Sequence, residues 1–179
     1  MKKEQLLHVL RAAADISGEK SFVIVGSQAI LLSLQEPDAG LTMSDEIDLY
    51  PSMAPEKSDA IDGAIGALSL FHDTHGYHAD GVSPETAVMP PDWMTRASFQ
   101  YFGDLTAISP ELHDLCVSKC VAGREKDAEF VRILLRDGHV QIGTLVERIA
   151  QIDGQKHSIP AVVAWAERRW QEAHSKLQP

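Results

Sequence analysis

Ser44-Asp45-Glu46-Ile47-Asp48-Leu49-Tyr50, reached one predicted helix after Phe22-Val23-Ile24-Val25-Gly26-Ser27, is the stretch on which the reading of this chain turns. Glu46 and Asp48 are two apart, so in an extended strand both carboxylates leave the same face. Ile47 and Leu49 then point the other way, into a core. Two like charges side by side repel unless a cation lies between them. Oxygen ligands of this kind suit a divalent ion, typically Mg²⁺ carrying the phosphates of a nucleotide. The plainer reading of the same alternation is an edge strand with an acidic solvent face. Gly26-Ser27, between strand and helix, lets backbone N–H groups approach an anion. The same pair also serves as an ordinary turn and N-cap.

Outward from this stretch, Leu6, Leu7, Leu10, Ala13 and Ala14 form one stripe of a helix over 4–16, closed by Ser17-Gly18-Glu19-Lys20. Phe22 to Val25 reads as a buried strand, Gly26-Ser27 opens a helix to about Leu34, and Glu46 to Tyr50 is a second strand stopped by Pro51. Pro55 suits the first turn of a helix running to about Leu68, with Ile61, Ile65 and Leu68 apolar. Tyr77 to Val82 and Thr86 to Met89 read as short strands. Phe99 to Phe102 and Leu105 to Ile108 read as a hairpin about Gly103-Asp104. After Ser109, a plausible N-cap with Pro110 at the first position, helices are expected at 111–122, 125–136, 141–151 and 160–175. The layout predicts an α+β fold in two parts: a mixed sheet flanked by helices over 1–108, then a C-terminal helical part over 109–179.

With 179 residues and 44% hydrophobic content, the chain can bury a substantial core. Its longest apolar runs are far too short to cross a membrane, and residues 1–5 do not open a signal-peptide pattern. Two cysteines are too few for a disulfide framework, so a cytoplasmic protein is expected. A formal net charge of −10 excludes a protein that envelops nucleic acid non-specifically. It leaves room for a small nucleotide arriving with its own Mg²⁺, and for a local basic patch at Lys119, Arg124 and Lys126.

Val23-Ile24-Val25-Gly26-Ser27 followed by Glu46-Ile47-Asp48-Leu49 resembles the signature of the nucleotidyltransferase superfamily, with its polymerase-beta-like fold. The resemblance implies a mixed sheet flanked by helices, two carboxylates (Glu46 and Asp48) holding Mg²⁺, and Gly26-Ser27 contacting the triphosphate. Here Glu stands at the first acid in place of the usual Asp, and the spacing from Gly-Ser to the acids is longer than is common. Phe22 to Ile30, Gly76 to Val82 and Ser118 to Asp127 look like an uncharacterised bacterial family related to the abortive-infection AbiEii-type toxins. In those relatives a lysine and a downstream acid of the helical part also serve the active site. Lys119 and Asp127 stand at the matching positions. The superfamily often adds a third carboxylate on a later strand, for which Asp80 is the candidate, as a general base or as part of the metal site. The plainer reading of Asp80-Gly81 is a turn.

Lys119 and Arg124 carry charge suited to phosphates, or else belong to a solvated helix face laced with ion pairs. His72, His75 and His78 repeat every third residue beside Asp73 and Asp80, but Gly76 interrupts any helix that would align them on zinc, and satisfied histidines are the expectation. Cys116 and Cys120, four apart, read as core. Trp93, Trp165 and Trp170 read as packing residues. The leading expectation is a metal-dependent enzyme moving a nucleoside monophosphate from an NTP to a hydroxyl or phosphate acceptor. RNA or protein is the implied acceptor, and an antitoxin or a second copy the implied partner. The alternatives are a catalytically silent module of the same fold that binds a nucleotide or a protein, and a helical interaction protein whose sheet is only scaffold.

Overall fold

The computed structural model describes residues 1–175, which divide into two compact units: Met1–Ala87 with Ala97–Ser109, and Val88–Arg96 with the chain from Pro110 onward. The first unit is built on a five-stranded mixed sheet. Its strands are β1 (Ser21–Ile24), β2 (Glu46–Pro51), β3 (His78–Gly81), β4 (Ser98–Phe102) and β5 (Leu105–Ser109), in the order β3-β2-β1-β5-β4. β2 runs antiparallel to β1 and parallel to β3, β1 parallel to β5, and β4 and β5 close the far edge as a hairpin about Gly103.

Strand alternation divides this sheet into two chemically different faces. Phe22, Ile24, Ile47, Leu49, Ala79 and Ala107 share one face and are fully buried. Helix α3 (Ser58–Ile65) lies on that face against Gly81, so closely that a Cβ there would meet the Ser58 carbonyl oxygen at 2.1 Å. Helix α1 (Lys3–Ser17) packs on α3, burying Leu6, Val9, Leu10, Ala13 and Ala14. Val9 takes the place in this stripe expected of Leu7, which is only half-buried. Burying such a leucine or isoleucine contributes about 1.5–3 kcal/mol, so this apolar layer sets the register of β2. A slip of one residue would turn Glu46 and Asp48 into the core.

The connections depart from expectation in four places. The turn after β1 is a 3₁₀ turn (Ser27–Ala29) that runs into a single α turn, α2 (Ile30–Ser33). The helix expected from Pro55 to Leu68 is broken: a 3₁₀ turn leads into α3, which stops at Gly66, and Leu68 is exposed with φ of 62°. A separate helix α4 (Leu70–His75) follows, started by the Ser69 hydroxyl accepting from the His72 N–H and ended by Gly76 with φ of 72°. The strand expected at Thr86–Met89 does not form. Pro84 and Thr86 lie in a 3₁₀ turn, and the chain leaves for the second unit at Val88.

The second unit holds α5 (Leu112–Ala122), α6 (Glu125–Arg136), α7 (Ile142–Ile149) and α8 (Ile159–His174). Ser109 belongs to β5, and the cap of α5 is Glu111, whose carboxylate accepts from the His113 N–H, rather than Ser109. Cys116 and Cys120 are buried core residues. Asp114, fully buried, takes a two-pronged contact from Arg96 at 2.8 and 3.0 Å, which fastens the Val88–Arg96 excursion to the start of α5. Among the described residues no helix is long and apolar enough to cross a membrane.

Candidate functional site

The second face of the sheet carries Glu46 and Asp48 from β2 with His78 and Asp80 from β3. Parallel register sets Glu46 beside His78 and Asp48 beside Asp80. Asp80 thus stands in a strand rather than a turn, and the paired register supplies a third carboxylate beside the two on β2. Asp48 is held where the Gly-Ser turn can use it: the N–H of Val25 donates to its carbonyl oxygen at 3.0 Å. Its carboxylate fills the space above Gly26, where an added Cβ would lie 1.5 Å from Oδ2. Only glycine leaves that space, so the two halves of the sequence signature interlock physically.

The electrostatics of this face are those of a crowded acidic group. Burial pushes the Asp80 carboxyl up, His78 pulls it down, and the like charges of Glu46 and Asp62 push it up again, leaving it above the ordinary carboxylate range. His78 is buried, with Nε2 at 3.2 Å from Asp80 Oδ1 and Nδ1 without a hydrogen-bond partner. One ligand atom from each of Glu46, His78 and Asp80 lies within 4.8 Å of the other two. Convergent oxygens with a cradle of bare backbone suit a divalent cation. The donor set therefore fits one.

His78 is the residue of this face that sequence reasoning missed as a site member. The signal was present as His78-Ala79-Asp80, an alternation that repeats Glu46-Ile47-Asp48. The structure separates the three-residue histidine repeat: His75 packs with His8, Phe71 and Tyr77, while His72 stacks on His78 with ring centroids 4.4 Å apart.

Lys119, Arg124 and Asp127 come together within the second unit. Arg124 Nε lies 2.7 Å from Asp127 Oδ2 and Lys119 Nζ 3.5 Å from Asp127 Oδ1, with the lysine ammonium 5.4 Å from the Phe130 ring centroid. Lys119 and Asp127 are buried, unlike the solvated helix face of the plainer reading, whereas Arg124 is exposed and ion-paired as that reading has it. Burial pushes the Asp127 carboxyl up, but the Arg124 hydrogen bond and the Lys119 charge outweigh it and hold the group below its ordinary range. Asp127 also accepts from the Arg124 N–H at 3.2 Å, so it caps α6 as well as pairing the two cations.

A family model described as "Nucleotidyltransferase of unknown function (DUF6036)" matches residues 4–176. Among curated proteins and solved structures, none matches the chain.

Proposed function

The chain belongs to this family of nucleotidyltransferases of unknown function, and on that premise we propose that it is an active, cation-dependent enzyme that transfers a nucleoside monophosphate from an NTP to a hydroxyl or phosphate acceptor. The observation that carries the reading is the seating of the Asp48 carboxylate on Gly26, with Glu46 and Asp80 in register on the same face. Glu46 and Asp48, with Asp80 beside them, would hold the divalent cation, Mg²⁺ by expectation, which when bound supplies positive charge against the triphosphate.

In this reading Ser27, next to the bare backbone of Gly26, contacts the terminal phosphates. The acceptor oxygen forms a bond to the α-phosphorus as the bond from that phosphorus to the bridging oxygen breaks, and pyrophosphate leaves. Asp80, in register beside Asp48 on the same face, is the side chain placed to take the proton of an acceptor hydroxyl. Glu46, one methylene longer than the usual Asp, reaches the shared space from the start of β2, where its backbone is set by the Ile47 and Leu49 core. Toxin-like modification of an RNA or protein acceptor is the form of this activity that the sequence resemblance suggests.

Pyrophosphate release from a panel of NTPs and acceptors, in the presence of a divalent cation, tests the proposal. Release is expected from the native chain and is expected to fall at least about 10²-fold in Asp48→Asn, which removes one of the carboxylates that would hold the cation. Nucleotide binding without release across the panel would favour the silent module instead.

A further inference from the structure

We propose that the cation site on this face is completed by an imidazole, His78 Nε2, and that it therefore takes a first-row transition cation in preference to Mg²⁺. The inference rests on the acidic site of the proposed function and adds to it a ligand and a metal class that nucleotidyl transfer does not itself require.

Two members of the set already stand at the separation of neighbouring ligands. His78 Nε2 and Asp80 Oδ1 stand 3.2 Å apart. Two ligands bound at about 2.1 Å to one ion, in neighbouring positions, stand roughly 3.0–3.4 Å apart. A Glu46 oxygen lies within 4.8 Å of both. The identity of the residue points the same way. His78 is 6% exposed and its Nδ1 has no hydrogen-bond partner, a cost to stability that an apolar side chain at this strand position would avoid. The ring's other nitrogen, Nε2, is directed at the acids.

A second grouping shares the histidine: Asp45, His72 and His78 also bring ligand atoms within 4.8 Å of one another. Hydrogen bonding decides between the two. His72 Nδ1 accepts from the Leu68 N–H at 3.2 Å. With Nδ1 accepting, the proton of the ring sits on Nε2, the nitrogen facing Asp45 Oδ2 at 3.7 Å, which leaves this ring no free lone pair for an ion. The His72 ring lies against the His78 ring, tilted by 38° with centroids 4.4 Å apart. The resulting set of carboxylate oxygens and one imidazole nitrogen differs from what Mg²⁺ selects. Mg²⁺ takes hard oxygen ligands, whereas imidazole suits transition ions.

The test loads the full chain with Mn²⁺ and measures pulsed EPR for a nitrogen hyperfine coupling, with Mg²⁺ competition to give relative affinity. The native chain is expected to show the coupling and to bind Mn²⁺ at least about tenfold more tightly than Mg²⁺, since loss of even an outer partner of a metal ligand costs about that much. His78→Gln is expected to lose the coupling and the preference while keeping Mg²⁺. His72→Gln and His75→Gln are expected to keep the coupling. Mn²⁺ bound by the native chain without nitrogen coupling, coupling that survives His78→Gln, or coupling lost in His72→Gln would each overturn the inference. The native chain alone is decisive if His78→Gln fails to fold. The two readings fail separately: coupled Mn²⁺ without pyrophosphate release would sink the transferase and leave the imidazole site standing. Release with uncoupled Mn²⁺ would do the reverse.

Discussion

Gly26→Ala adds a single methyl group at the point where the Gly-Ser turn meets the acids of β2. The new Cβ would lie 1.5 Å from Asp48 Oδ2, 2.6 Å from Cγ and 3.0 Å from Cβ. Ordinary contact begins at 3.4 Å, so the carboxylate oxygen must retreat by about 1.9 Å. The backbone itself does not object, because Gly26 has φ of −63°, which alanine adopts freely. The whole effect therefore falls on Asp48. Displacement of a reacting group by 1 Å can cost about 10²-fold in rate, so turnover is expected to fall by about 10²-fold or more, and cation affinity with it. Overpacking of this size costs about 1–3 kcal/mol of stability. Because the blocking atoms are mostly the carboxylate, Gly26→Ala combined with Asp48→Ala is expected to regain most of that stability and none of the activity, a non-additive cycle. Calorimetric titration with the divalent cation, thermal unfolding and pyrophosphate release measure the three quantities. A Gly26→Ala chain with native cation affinity and native turnover would refute the argument that the turn and the acid interlock.

Asp114→Ala should destabilise the second unit by about 1–3 kcal/mol in denaturant unfolding, since Arg96 loses its buried two-pronged partner but keeps Asp92. Burial pushes the Cys116 thiol up and the Cys120 thiol to about 12, so neither should react with iodoacetamide in the folded chain at neutral pH, and both should react after unfolding. The native value of Asp127 lies below its unfolded one, so its contribution to stability is complete above the ordinary carboxylate range and is lost as pH falls through the lowered native value. Asp127→Asn should therefore flatten the fall of melting temperature with acid below about pH 4 and lower the melting temperature at neutral pH.

The parts of the fold that were legible in the sequence are those where local chemistry and tertiary packing agree. The alternation of Glu46-Ile47-Asp48-Leu49 predicted a strand with two acids on one face, and the sheet buries Ile47 and Leu49 completely on the other. The mixed sheet flanked by helices follows from the same agreement. Helix α4 was missed because its start depends on the Ser69 hydroxyl and its end on Gly76 in a left-handed conformation, with little apolar periodicity between them. Thr86–Met89 has strand composition, but an isolated apolar run of that length forms a strand only if an edge is offered to it. The contact of Asp48 with Gly26 and the pairing of Asp80 with Asp48 join residues far apart in the chain. Their residue types were readable in advance, whereas their register was not. His78 shows the limit most clearly: its place beside Glu46 is a property of β2–β3 pairing, which no local pattern states.

Transfer of label from NTP tests the central claim most directly. With a divalent cation present, label from the α-phosphate is expected to become covalently attached to an acceptor while label from the γ-phosphate leaves in pyrophosphate, and Asp48→Asn is expected to abolish the attachment. Attachment of the γ-label, or α-label attachment undiminished in Asp48→Asn, would contradict a nucleotidyl transfer carried by the acids of β2.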